Sequence, residues 1–162
     1  MADFQKITVG VIGAGTMGSG IAQVAAQAGH DVLIYDADPA MTEKARTGHA
    51  STFARLVEKG KLGDADAKAV QAAIRYANSP SQLEGCGLVI EAIIENLDIK
   101  QKLFNDMEKI VDANCVLATN TSSLSVTSIA SVCNDPSRVV GIHFFNPAPL
   151  MPLVEIVGGI AS

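Results

Sequence analysis

The sequence predicts an α/β domain built on a doubly wound, mostly parallel sheet whose last strands turn antiparallel. Three observations predict it. Short β-rich apolar runs alternate with longer helical patterns from the start of the chain, as in strand–helix–strand units. A glycine-punctuated turn, GAGTMGSG, joins the first apolar run to the first helix. The last two apolar runs have too short a connection for a parallel crossover, so they pair antiparallel.

Each element has its own signal. ITVGVI at 7–12 is a continuous β-rich run, the pattern of a strand buried on both faces. The alanine-rich stretch after the glycine turn is a helix closed by Gly29, a left-handed cap. DVLIYD at 31–36 is a second buried strand. Pro39 opens a helix over 39–60, and another follows at 64–73. AIRYA is a short strand and LVIEAI at 88–93 a longer one. DIKQKLFNDMEKIVDAN is an amphipathic helix with Ile99, Leu103, Met107 and Ile110 on one face. CVLATN at 115–120 is a strand and 125–133 a short helix. RVVGIHFF and LVEIVG close the chain as two strands around a proline-containing loop.

Bulk composition bounds what such a domain does. At 162 residues the chain is one domain, or one domain with a fragment of another. Hydrophobic residues at 48% supply a core, and charged residues at 18% are too few for a disordered chain. A net charge of −5 argues against a nucleic-acid partner. No apolar run reaches the roughly 18 residues that span a bilayer, and the N-terminus lacks the pattern of a secretory signal. Cys86, Cys115 and Cys133 are odd in number, far apart and without a CxxC. They fit buried thiols in a reducing cytoplasm and give no zinc site.

Gly13, Gly15 and Gly18 form GxGxxG. The pattern is weak alone, but here it follows a strand and opens a helix, the context of a Rossmann-type dinucleotide site spanning a domain over 1–162. The first glycine permits the turn, the second admits a pyrophosphate, and the third lets helix pack on strand. Thr16 and Met17, inside the motif, join the cofactor side, with the phosphates on the positive helix end. Asp36 ends the second strand, where a carboxylate accepts both ribose hydroxyls and repels a 2′-phosphate. The preferred cofactor is therefore NAD rather than NADP.

ATNTSSLS follows the strand at 115–119, at the carboxyl end where ligands bind in such sheets. Ser122 and Ser123 can donate to a substrate oxygen while Asn120 supports the loop, or these residues simply cap the helix at 125. His143 lies in an apolar strand, and Glu155 lies in the strand expected to pair with it. A carboxylate on one imidazole nitrogen fixes the tautomer and frees the other nitrogen for proton transfer. Such a base beside a nicotinamide suits alcohol oxidation, with a purely structural pair as the alternative.

Four blocks, GVIGAGTMGSGIAQ, LVIEAIIENLDIKQKLF, TNTSSLSVTSIAS and GIHFFNPAPLMPLVE, occur in order over nearly the whole chain. Together they resemble the 3-hydroxyacyl-CoA dehydrogenase family, in particular its bacterial 3-hydroxybutyryl-CoA branch. The resemblance implies NAD-dependent oxidation of (S)-3-hydroxyacyl-CoA to 3-oxoacyl-CoA, or the reverse, within cytoplasmic fatty-acid and butanoate metabolism. It implies that His143 is the acid/base, Glu155 its partner and Ser122 a donor to the 3-oxygen. It also implies that Glu95, Lys100 and Asn146 line the nicotinamide half of the cofactor site, with Asn120 and Ser122 among the cofactor-binding residues. Ser122 and Asn146 would face substrate as well, and Thr52 and Lys59 fall near coenzyme A. Lys44, Arg46, Arg55, Lys59 and Lys61 then either meet CoA phosphates or form a solvated helix face.

Two departures stand out. Pro152 occupies a position where the family often has lysine, and is expected to remove a backbone donor and shift the start of the last strand. The family also carries a second, helical domain that supplies a further catalytic asparagine and the homodimer interface. This chain is expected to lack that domain, to bind NAD(H), and to turn over poorly. A related β-hydroxyacid dehydrogenase and a non-catalytic NAD-binding protein are the alternative readings.

Overall fold

A computed structural model describes residues 5–162. Its single sheet has seven strands: β1 (Thr8–Ile12), β2 (Asp31–Tyr35), β3 (Ile74–Tyr76), β4 (Leu88–Glu91), β5 (Val116–Thr119), β6 (Val139–Phe144) and β7 (Val154–Gly158). They lie in the order β3-β2-β1-β4-β5-β6-β7. All neighbours are parallel except β6 and β7. The order reverses between β1 and β4, which opens a crevice at the carboxyl ends of those strands. Five helices cover the sheet: α1 (Thr16–Gln27), α2 (Pro39–Glu58), α3 (Asp64–Ala73), α4 (Leu97–Glu108) and α5 (Val126–Ala130). Among the described residues no helix is long and apolar enough to cross a membrane.

Central strands read as apolar runs because both faces are covered. Val9, Val11, Val32 and Ile34 pack with Ile21, Ala22 and Phe53 under α1 and α2. On the opposite face Val89, Leu117 and Val139 pack with Phe104, Met107 and Ile129 of α4 and α5. Each of these side chains other than Ala22 contributes about 1.5–3 kcal/mol by leaving water. Cys86, Cys115 and Cys133 are buried and free, and burial raises their thiols to about 11, so they are inert packing groups. His49 on α2 is also buried. Its Nδ1 meets the Tyr76 hydroxyl at 2.7 Å and its Nε2 the Ser19 carbonyl at 2.9 Å, fastening α2 to β3 and α1. Burial, partly offset by the Ser19 carbonyl, lowers its pKa and keeps the ring neutral.

The predicted elements are all present, with shorter ends. α4 stops at Glu108 rather than running to 114, because the amides of Ile110 and Val111 both turn back onto Met107. Ile99 is 43% exposed, so the apolar face of α4 is not wholly a core face. β4 stops at Glu91, where the Glu91 carboxylate takes the Ile93 amide and bends the chain out of the strand. Pro152 lies ahead of β7, which begins at Val154, and the Glu155 register is intact.

The glycine turn sets how closely α1 meets β1. Gly13 has φ +101°, and a Cβ there would lie 2.6 Å from the Ala92 carbonyl oxygen. At Gly18 a Cβ would lie 1.7 Å from the Gly13 carbonyl oxygen, an impossible contact with backbone. Gly18→Ala must therefore lift α1 off the strand, at a cost of about 3 kcal/mol or more. Urea unfolding of the variant measures this, and unchanged stability would show that the turn relaxes freely.

Candidate functional site

The carboxyl ends of β1 and β2 form a cradle. Gly15 caps α1 in an extended conformation, and a Cβ there would meet nothing within 4 Å, so the approach to its backbone is open. Asp36, just past β2, accepts the Ala14 amide at Oδ2 (2.7 Å) and the Asp38 amide at Oδ1 (2.9 Å). Each carboxylate oxygen keeps capacity for another donor. Beside it runs a mostly apolar groove of about 310 Å³ that includes Ile12, Tyr35, Ile93 and Ile99. A phosphate-accepting helix end, a carboxylate and an adjoining apolar groove fit a dinucleotide. Asp36 thus stands on the backbone of the glycine turn, Gly15 and Thr16 border a cavity at the start of α1, and Met17 faces a different cavity.

A second cavity, of about 300 Å³, lies over the ends of β4, β5 and β6. Met17, Glu95, Asn120, Ser122, His143 and Asn146 all line it. His143 and Glu155 are direct register partners across β6 and β7, and the Nδ1–Oε2 distance is 2.9 Å. With a carboxylate on Nδ1, that nitrogen carries the proton in the neutral ring and Nε2 is left with its lone pair. The imidazole is 19% exposed, sheltered in part by the Phe145 ring 4.6 Å away between centroids.

The 120–125 segment divides its labour. Asn120 Oδ1 accepts the Phe144 amide at 2.8 Å and ties the end of β5 to β6. Ser125, not Ser122 or Ser123, caps α5 by accepting the Ser128 amide. Thr121 accepts the Leu124 amide at 2.9 Å. The Ser122 hydroxyl makes no hydrogen bond among the described residues, so it is free to donate into the cavity. The capping alternative is thus met by a neighbour.

Beneath this loop sits a charge cluster that residue patterns did not reveal. Glu91 and Lys100 are each 1% exposed, and their Oε1–Nζ distance is 2.5 Å. Glu91 Oε2 also accepts the Thr119 hydroxyl at 2.8 Å. Lys100 reaches Glu95 at 3.5 Å, so it addresses the cavity only through that carboxylate. Glu95 in turn accepts from the Thr121 hydroxyl and from the Ser122 (3.2 Å) and Ser123 (3.3 Å) amides. Burial alone would raise the Glu95 carboxyl, but Thr121, Lys100 and the two amides outweigh it and hold it below its ordinary range. The sequence signal was an acid within an apolar strand and a lysine on the next helix.

Thr52 and Lys59 lie apart from the His143 cavity. With Arg55, Lys61 and Leu150 they line a shallow cationic recess of about 220 Å³. Thr52 also borders a cavity of about 330 Å³ that reaches Gly15, Thr16 and Lys44. Arg46 leaves the basic group: it pairs with Glu43 at 3.3 Å and stacks 4.6 Å over the Tyr76 ring.

Known proteins align with this arrangement. The family description "3-hydroxyacyl-CoA dehydrogenase, NAD binding domain" matches residues 8–162. A probable 3-hydroxybutyryl-CoA dehydrogenase of Bacillus subtilis is 44% identical over 152 residues, covering 94% of this chain and 53% of that protein. A 3-hydroxyadipyl-CoA dehydrogenase of Escherichia coli is 43% identical over 96% of this chain and 33% of its own. The crystal structure of an (S)-3-hydroxybutyryl-CoA dehydrogenase from Ralstonia eutropha superposes with a TM-score of 0.93 at 42% identity, over 98% of this chain and 56% of that one. The chain spans about half the length of most of the curated relatives it matches.

Two outcomes test the charge cluster. Lys100→Met leaves a buried carboxylate uncompensated and should cost about 3–5 kcal/mol, much of it recovered when Glu91→Gln is added; equal stabilities of the single and double variants would contradict the coupling. The Glu95 carboxyl should titrate in a 13C NMR experiment with a midpoint below 4.5. Its contribution to loop order is then complete above that pH and lost in stronger acid, whereas a midpoint above 4.5 would mean that burial wins.

Proposed function

The chain belongs to the 3-hydroxyacyl-CoA dehydrogenase family, and from that premise we propose that it takes part in NAD-dependent oxidation of short-chain (S)-3-hydroxyacyl-CoA esters and the reverse reaction. The observation that carries this reading is the His143–Glu155 pair facing Ser122 across one cavity, beside the glycine turn. When bound, NAD supplies the hydride acceptor at C4 of its nicotinamide. Gly15 and the first turn of α1 would hold its diphosphate, Asp36 its adenosine ribose, and the His143 cavity its nicotinamide end.

The chain's own residues then handle oxygen and proton. Ser122 donates to the substrate 3-oxygen and holds it near Nε2 of His143. That nitrogen takes the hydroxyl proton as the C3 hydrogen leaves as hydride, so one C–H and one O–H bond break while a C=O bond forms. Glu155 stabilises the imidazolium that results. In reduction His143 returns the proton. Asn120 and Glu95 keep the Ser122 loop in place, and Asn146 closes the cavity from the β6 side.

The cationic recess at Thr52, Arg55, Lys59 and Lys61 supports a coenzyme A ester over a free hydroxy acid, since it offers charge to phosphates. Leu150, Met151, Leu153 and Ile156 are exposed near the recess and along β7. That apolar strip supports packing of a second, helical domain that completes the acyl cleft and carries a homodimer contact. Without such a wall, the domain binds NAD(H) and turns over slowly. Free, buried thiols support a cytoplasmic setting.

NADH appearance with (S)-3-hydroxybutyryl-CoA against free 3-hydroxybutyrate tests the substrate, and comparable rates would favour the free-acid reading. In protein extended by the helical domain, His143→Ala should lower turnover by about 10²–10⁴ while NADH affinity stays within about twofold. A large loss of NADH binding would make His143 structural.

A further inference from the structure

We propose that Glu95 determines which oxidation state of the dinucleotide the site prefers: its carboxylate favours the cationic, oxidised nicotinamide over the neutral, reduced one. The inference rests on the reading of the His143 cavity as the nicotinamide site. Glu95 is the one anionic side chain lining that cavity among the described residues, and no Lys or Arg lines it. Its side chain is 37% exposed, against 1% for Lys100.

The neighbouring ammonium does not cancel this charge. Lys100 lies 2.5 Å from Glu91 and 3.5 Å from Glu95, so two carboxylates share one cation and one net negative charge remains. Glu91, on the sheet side, takes the closer contact, and Glu95 stands between Lys100 and the cavity. Glu155, on the far nitrogen of His143, adds charge of the same sign.

The carboxylate is also held in place. The Thr121 hydroxyl and the Ser122 and Ser123 amides all donate to Oε1, so Glu95 does not have to reorganise when a ligand enters. A fixed charge in a sheltered cavity acts at lower effective dielectric than one in water, which strengthens its discrimination between a cation and a neutral ring. Loop anchoring and charge selection thus fall to one residue.

Dissociation constants for NAD+, NADH and ADP-ribose test this, measured by calorimetry and NADH fluorescence on the wild-type chain and on Glu95→Gln, which retains an acceptor for the loop. We expect Glu95→Gln to weaken NAD+ about five- to tenfold more than NADH, with ADP-ribose nearly unchanged. Asn146→Asp adds a carboxylate to the same cavity and should move the NAD+/NADH ratio the opposite way. NAD+ and NADH binding both altered, and by the same factor, in each variant would overturn the charge proposal while leaving the cavity assignment standing. If neither variant, nor Asn146→Ala, alters NAD+ or NADH binding, the nicotinamide does not occupy this cavity and the underlying reading fails with it.

Discussion

The buried contact between Glu91 and Lys100 is the constraint on which the site depends. It joins the end of β4 to α4, and through the Thr119 hydroxyl it reaches the end of β5. A carboxylate and an ammonium taken out of water at this depth are tolerated only with good geometry and further hydrogen bonds, and both conditions hold. Glu91 also draws in the Ile93 amide, which turns the chain toward Glu95. The carboxyl ends of the two central strands are therefore fixed to one another before any ligand arrives. From that point the order runs outward: Lys100 to Glu95, Glu95 to the Ser122 loop, and the loop to the cavity.

The opposite wall of the cavity is set by different physics. β7 joins by a short loop and pairs antiparallel, and the resulting register puts His143 and Glu155 opposite one another. Had β7 slipped by one residue against β6, Glu155 would have pointed to the opposite face of the sheet from His143, whose orientation the β5–β6 pairing fixes. Asn120 links this wall to the first, because its side chain accepts from β6 while its backbone continues from β5. Two strand ends and one cross-brace thus fix where His143 and Ser122 stand on the two sides of the cavity.

Much of this was legible in the sequence because it is local. The glycine turn, the buried strands and the caps depend on residues a few positions apart, and the glycine spacing gained its meaning from the strand before it and the helix after it. The His143–Glu155 pair was legible because a short connection forces antiparallel pairing, which converts a spacing of 12 into a contact. The Glu91–Lys100 pair was not. Its partners sit on different elements, and an acid in an apolar strand does not announce which cation will meet it. Lys100 was assigned to the cofactor site by resemblance, and it lies instead one carboxylate behind the cavity. Arg46 was left between phosphate contact and a solvated helix face, and its pairing with Glu43 and its stacking on Tyr76, which is distant in sequence, set it apart from the recess. The exposed Ile99 reflects a groove rather than a core, which periodicity along one helix cannot distinguish.

The acid/base assignment depends on Glu155 holding the proton on Nδ1 of His143, leaving Nε2 free. Long-range 1H–15N correlation NMR of the imidazole at neutral pH reads the tautomer directly. The expected spectrum shows a protonated Nδ1 and an unprotonated Nε2, with the pattern lost in Glu155→Ala. A dominant Nε2-protonated tautomer in the wild-type chain would contradict the assignment of His143 as the proton acceptor.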